Sequence, residues 1–135
     1  MPTPQQIKLM KSKQKIVMLT AYDFPTARLM DDIVDIILVG DSMGMVVLGY
    51  ENTTKVTMQD MTKAVQAVAR GTKNALVVGD LPIGAYDDEA DALKNANLLL
   101  KAGAQAVKIE RKPEIAGFLV KNGIKVMGHI GLTPQ

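Results

Sequence analysis

The chain of 135 residues has no cysteine and no tryptophan, a single histidine, and aromatic side chains at only 4%. Without cysteine there is no disulfide framework, no thiolate metal site and no Cys nucleophile, which suits a reducing cytosol. With so few aromatics there are few platforms on which nucleic-acid bases could stack. The formal net charge of +2 supplies neither a basic groove nor a surface drawn to anionic membranes. No apolar run approaches the ~18 residues of a spanning helix. The polar, basic residues 1–15 lead into no signal-peptide core. The reading is a soluble, cytoplasmic chain with neither nucleic acid nor membrane as partner. Asn52-Thr53-Thr54 matches the glycosylation triplet, a chance match without a secretion signal. Gly-x-Gly-x-x-Gly and Walker patterns are also missing, which counts against dinucleotides and nucleotides.

What is present is an ordinary globular composition, 47% apolar and 22% charged, in a length that fits one domain over 1–135. Short, nearly continuous apolar runs at 16–19, 35–39, 75–78, 106–109 and 125–127 read as strands buried on both faces. Helix-like stretches at 25–33, 58–70, 88–102 and 114–122 lie between them. Thr57 and Asp60 form the pattern of a capping box, and Asp87 stands where the third helix needs a cap. Gly71, Gly103 and Gly123 each follow a helical run, where a left-handed residue is wanted. This βαβαβαβαβ order predicts a parallel α/β sheet. Residues 41–56, rich in Gly and Met, form one long insertion between a strand and its helix. The sequence stops at Thr133-Pro134-Gln135, just past a strand, where a doubly wound domain would add a last helix. The expectation is therefore about the first five strands and four helices of a (β/α)8 TIM barrel, which needs roughly 250 residues.

In barrels and open sheets alike, sites form at the carboxyl ends of the strands. Those ends here carry Tyr22 and Asp23, then Asp41 and Ser42, then Asp80, then Lys108 and Glu110, then His129. Asp41, Asp80 and Glu110 are hard oxygen ligands suited to Mg²⁺, which prefers one or two carboxylates with waters and substrate oxygens. Each alone also reads as a turn or N-cap residue; three in register favour a metal site. Lys108 and Glu110 are two apart and share a face, so inside a barrel they are paired or functional. A pair that merely closes a barrel layer is the alternative. His129 has no second histidine for a zinc site and reads as a metal ligand, a donor to a substrate carboxylate or a satisfied strand-end residue; Ser42 has no evident base and reads as a substrate contact through its hydroxyl or its amide. Met43-Gly44-Met45 reads as packing.

Those same segments resemble ketopantoate hydroxymethyltransferases. The resemblance lies in Thr20-Ala21-Tyr22-Asp23, Gly40-Asp41-Ser42-Met43-Gly44-Met45, Gly79-Asp80-Leu81-Pro82, Lys108-Ile109-Glu110 and the run from Gly128-His129 to Gln135. It is collinear from about residue 16 onward. It implies a cytoplasmic homo-oligomer of (β/α)8 barrels. The implied reaction moves a one-carbon unit from 5,10-methylenetetrahydrofolate to 3-methyl-2-oxobutanoate, giving 2-dehydropantoate in pantothenate synthesis, through a Mg-stabilised enolate. By position, Asp41, Asp80 and Glu110 resemble the magnesium carboxylates. Ser42, Lys108 and His129, with Asp41 and Asp80, resemble the groups that hold the 2-oxo acid. No general base falls within the chain, since the family's glutamate lies beyond Gln135. Residues 1–135 alone are therefore expected to be inactive, a half-barrel with open strand edges. Arg111-Lys112-Pro113 stands where the family usually shows glycines, so the loop after strand four is expected to differ. Three rivals stand beside this reading: a related Mg-dependent 2-oxo acid lyase or mutase, a non-catalytic half-barrel or split subunit, and a five-stranded phosphoacceptor signalling domain.

Overall fold

The strands form where β-branched and aliphatic runs have no helical period. In the computed structural model, which describes residues 1–132, they are β1 (Met18–Thr20), β2 (Ile36–Val39), β3 (Leu76–Asp80), β4 (Ala106–Glu110) and β5 (Val126–His129). All pair in parallel, in the order β1-β2-β3-β4-β5. This sequential order is that of a barrel wall. A doubly wound domain reverses direction part-way, as in the 2-1-3-4-5 order of signalling receivers, so the phosphoacceptor alternative is excluded.

Alternation along the strands separates two apolar layers. Ile37, Val39, Val77, Val107 and Ile109 point to the outer face and are almost wholly buried. Each contributes about 1.5–3 kcal/mol by leaving water. The layer covering them consists of α2 (Phe24–Met30), α4 (Met58–Gly71), α5 (Glu89–Ala102) and α6 (Pro113–Lys121), packed side by side. The inner face carries Ile36, Leu76, Val78 and Ala106, joined by Leu38 and Met127. At the lower end of that face lies a cavity of about 410 Å³ beside Ile7. The expectation of two covered faces holds for β2, β3 and β4. At the margin, β1 is exposed throughout, with Met18 and Leu19 open to solvent.

Two short helices escape a search for periodicity. α1 (Pro4–Leu9) starts at a capping box in which Thr3 Oγ1 accepts from Gln6 N (3.2 Å) and Gln6 Oε1 from Thr3 N (2.7 Å). It carries Ile7 onto the inner layer. Within the 41–56 insertion, α3 (Met43–Val46) and a 3₁₀ turn (Thr53–Lys55) fold the chain back. Elsewhere the caps refine the expected ones. The Thr57/Asp60 box opens α4, whereas α5 is capped by Asp88 and not by Asp87. Gly103 and Gly123 are left-handed, at φ 115° and 84°. Gly71 is not; it ends α4 where a Cβ would come within 2.6 Å of the Phe24 carbonyl, so closeness of α2 requires the glycine.

Asp31, buried after α2, accepts from the backbone N–H groups of Lys73, Asn74 and Ala75 at 2.8–3.0 Å. It ties the start of β3 to the α2–β2 connection. Burial pushes its carboxyl up, but the three donors together outweigh that and hold its pKa below the usual value. Among the described residues, no helix is long and apolar enough to cross a membrane.

Candidate active site

Register explains which side chains meet. Asp80 stands opposite Lys108 in the β3–β4 ladder, and Glu110 opposite His129 in the β4–β5 ladder. Since Lys108 and Glu110 share a face, all four converge on the inner face at the carboxyl end of the sheet. There they form one chain of contacts. Lys108 Nζ donates to Asp80 Oδ2 (2.8 Å) and to Glu110 Oε1 (3.2 Å), and that same Glu110 oxygen lies 2.6 Å from His129 Nδ1.

Asp41 and Ser42 enter from the β2–α3 corner. The Asp41 backbone N–H approaches Asp80 Oδ2 at 3.5 Å. The Asp41 carboxylate is held by a side-chain hydrogen bond from Thr53 and by the Ser42 backbone. Ser42 Oγ lies 2.8 Å from the Tyr22 hydroxyl. Every residue singled out from the sequence thus sits in one place, except Asp23, which caps α2 through Thr26 N (2.8 Å). The Thr133-Pro134-Gln135 end of the last motif lies outside the described residues.

Burial sets the electrostatics. Asp80 is 3% exposed, and loss of water pushes its pKa up to about 6, against the opposing pull of Lys108 and with the help of nearby Asp41. Asp41 is also raised, again chiefly by burial. For Lys108, burial disfavours the charge, but Asp80 and Glu110 outweigh it and its pKa rises. For Glu110, burial is outweighed by His129 and Lys108, and the pKa falls. The site therefore pairs a firm ammonium with two carboxyls that ionise reluctantly. One atom stands out: Asp80 Oδ1 is buried with no hydrogen-bond partner. A bare buried oxygen costs on the order of 1–3 kcal/mol, and a cation would remove that cost. Among the described residues, no three His, Asp or Glu close into a cage of their own. Asp80 and Asp41 fit a cation that takes its other ligands from water and substrate.

Sequence reasoning gave no role to Tyr22, Thr53, Tyr86 or Lys112. Tyr86 is buried, and its hydroxyl accepts from the Glu110 N–H (3.3 Å). Lys112 lies over the Tyr86 ring at 5.6 Å and pairs with Asp87 at 2.6 Å. These contacts brace the loops after β3 and β4. In the second of those loops Arg111 takes a left-handed backbone, φ 59°, a conformation that glycine adopts more readily. The run Arg111-Lys112 was the visible signal; Thr53 had none, because its role depends on the fold-back of the insertion.

Residues 2–135 match the family described as ketopantoate hydroxymethyltransferase. The 3-methyl-2-oxobutanoate hydroxymethyltransferase of Ignicoccus hospitalis is 55% identical over 134 residues, which is 96% of this chain and 51% of that protein. The enzyme of the same name from Caldivirga maquilingensis is 58% identical over 130 residues, covering 93% and 49%. The chain spans about half the length of the curated relatives it matches. Among solved structures, phosphoenolpyruvate phosphomutase from Streptomyces platensis superposes with TM-score 0.70 at 17% identity, covering 94% of this chain and 53% of that one. 2,3-Dimethylmalate lyase, a PEP mutase/isocitrate lyase superfamily member, gives 0.68 at 14% identity, covering 95% and 53%. A phosphonopyruvate hydrolase in complex with oxalate and Mg²⁺ gives 0.65 at 16% identity, covering 81% and 39%. These neighbours are TIM barrels, and the likeness establishes the fold alone.

Proposed function

The chain belongs to the ketopantoate hydroxymethyltransferase family, and on that premise we propose that its strand-end cluster holds a divalent cation and a 2-oxo acid for one-carbon transfer. The reaction is hydroxymethyl transfer from 5,10-methylenetetrahydrofolate to 3-methyl-2-oxobutanoate, giving 2-dehydropantoate. The observation that carries this reading is the bare, buried Asp80 Oδ1 on a carboxylate whose other oxygen is neutralised by Lys108. Mg²⁺ fits that arrangement, with Asp41 and Asp80 as its carboxylates and Glu110 as the third acidic group. Bound there, Mg²⁺ supplies Lewis-acid polarisation of the keto group, which acidifies the adjoining C–H. The phosphonopyruvate hydrolase of similar fold was solved in complex with oxalate and Mg²⁺, which supports the reading.

The protein groups bind and orient. Lys108 keeps its charge well above neutral pH and faces the acid's carboxylate. His129, held by Glu110, adds a donor from β5, and Ser42 adds a hydroxyl from the β2–α3 corner. Orientation matters because the new carbon–carbon bond forms at the carbon beside the keto group. That carbon gives its proton to a base and bonds to the donor's methylene carbon; a water molecule supplies the hydroxyl oxygen, and tetrahydrofolate leaves once both of its bonds to that carbon are broken and its nitrogens have taken up the protons. The resemblance places the base beyond Gln135. Identity of 55% to the hydroxymethyltransferases, against 14–17% to the mutase, lyase and hydrolase, favours this chemistry over theirs.

Amide NMR of residues 1–135, titrated with Mg²⁺ and then with 3-methyl-2-oxobutanoate, tests the reading. Shifts centred on Asp41, Asp80 and Lys108, with the acid seen only after Mg²⁺, are expected. Equal acid shifts without Mg²⁺, or shifts elsewhere on the fold, would overturn it.

A further inference from the structure

Ser42 stands at the N-cap of α3, where a serine hydroxyl ordinarily turns back to accept from the helix. It makes no such bond, and its backbone is already helical, at φ −53° and ψ −17°. The hydroxyl is turned to Tyr22 instead, 2.8 Å away. Gly40 keeps that direction open, since a Cβ there would lie 3.0 Å from Ser42 Oγ. Tyr22 itself stands two residues past the end of β1 and packs against the outer apolar layer, so its hydroxyl arrives from a fixed position.

We propose that Tyr22 is a positioning residue for recognition of the 2-oxo acid's carboxylate, acting through Ser42. This rests on the reading above that Ser42 contacts the acid. A carboxylate only accepts hydrogen bonds, and a serine has one proton to give. If Ser42 donates to the acid, its own oxygen must take its hydrogen bond from Tyr22. The direction of the pair is then settled: Tyr22 donates to Ser42, and Ser42 donates to the carboxylate. Each bond polarises the next. Without the phenol, the Ser42 hydroxyl loses the donor that fixes its orientation.

The test uses Tyr22→Phe, Ser42→Ala and the double variant in residues 1–135. Mg²⁺ affinity and 3-methyl-2-oxobutanoate affinity at saturating Mg²⁺ are measured by calorimetry. Tyr22→Phe is expected to weaken the acid by about three- to ten-fold, the value of one hydrogen bond. Mg²⁺ affinity and the thermal midpoint stay unchanged, and Tyr22→Phe adds nothing once Ser42 is Ala. If Ser42→Ala weakens the acid and Tyr22→Phe does not, the role of Tyr22 is overturned while the reading of Ser42 stands. If neither matters, or the unsubstituted chain binds no acid, both fall. Parallel losses in Mg²⁺ affinity or thermal midpoint would make Tyr22 structural only. Additive losses in the double variant would show that it does not act through Ser42.

Discussion

Asp80 and Lys108 are partners in the β3–β4 register, and the Lys108 ammonium lies 2.8 Å from Asp80 Oδ2, both side chains largely out of water. The pair is half of a larger requirement, because Asp80 Oδ1 is left bare. Removing one member of a buried pair costs about 3–5 kcal/mol, since the other charge is stranded. Lys108→Met is therefore expected to lower unfolding free energy by about 3 kcal/mol in denaturant titrations without Mg²⁺. Saturating Mg²⁺ should recover part of that loss. A variant as stable as the parent would show that the pair is not coupled to the fold.

The pH dependence of Mg²⁺ binding follows from Asp80. Its carboxyl, raised by burial from 3.8 to about 6, holds a proton that the cation must displace. Affinity should fall about tenfold per unit as pH drops below 6 and level off above it. The effect on metal-free stability has the opposite sense. Between 3.8 and about 6 the folded state binds the proton that the unfolded state has lost. The contribution of this group to stability is thus present at low pH and lost as pH rises through 6. Calorimetry from pH 5 to 8, with and without Mg²⁺, reads both.

Asp31 carries the reverse sign. Its pKa is held below the 3.8 of a free aspartate, so it stabilises the fold above that value and the contribution is lost as pH falls through the depressed pKa. Asp31→Ala strands the N–H groups of Lys73, Asn74 and Ala75 and should cost about 2–3 kcal/mol near neutral pH. The gap between the variant and the parent should narrow as pH falls below 3.8 and through the depressed pKa, which urea midpoints followed from neutral pH into acid would show.

Arg111 carries a Cβ and yet sits in a left-handed conformation, φ 59°, directly after Glu110. Such a backbone costs a residue with a Cβ on the order of 1 kcal/mol. Arg111→Gly should therefore leave stability unchanged or raise it by up to about 1 kcal/mol, the gain being limited by the entropy of glycine in the unfolded chain. A marked loss in thermal melting would mean that the Arg111 side chain makes a contribution beyond the loop's backbone.

Much of the site was legible because the strand-end rule selects positions without any contact being known. Asp41, Asp80, Lys108, Glu110 and His129 follow from it, and the two-residue spacing puts Lys108 and Glu110 on one face. The helices with full apolar periods, α4 and α5, were equally plain. α1 and α3 are too short for a period to show. Gly71 was misread as a left-handed cap because a glycine after a helix and a glycine under a neighbouring helix look alike until α2 is in place. Asp23 looked like a site residue and is used as a cap; both uses need only a carboxylate at a strand end.

The sequence by itself determined the order of elements and the residue types gathered at the carboxyl end of the sheet, since periodicity, caps and strand ends depend on near neighbours in the chain. Only the tertiary structure decided which Asp80 oxygen is paired and which is bare, that Ser42 turns to Tyr22, and that Thr53 returns to Asp41. It also decided that the β-order runs in sequence and not doubly wound. Those facts depend on contacts between residues distant in the chain: Tyr22–Ser42, Asp80–Lys108 and Asp41–Asp80 are 20, 28 and 39 positions apart. Strand register and burial place such residues together, and no local pattern encodes the result.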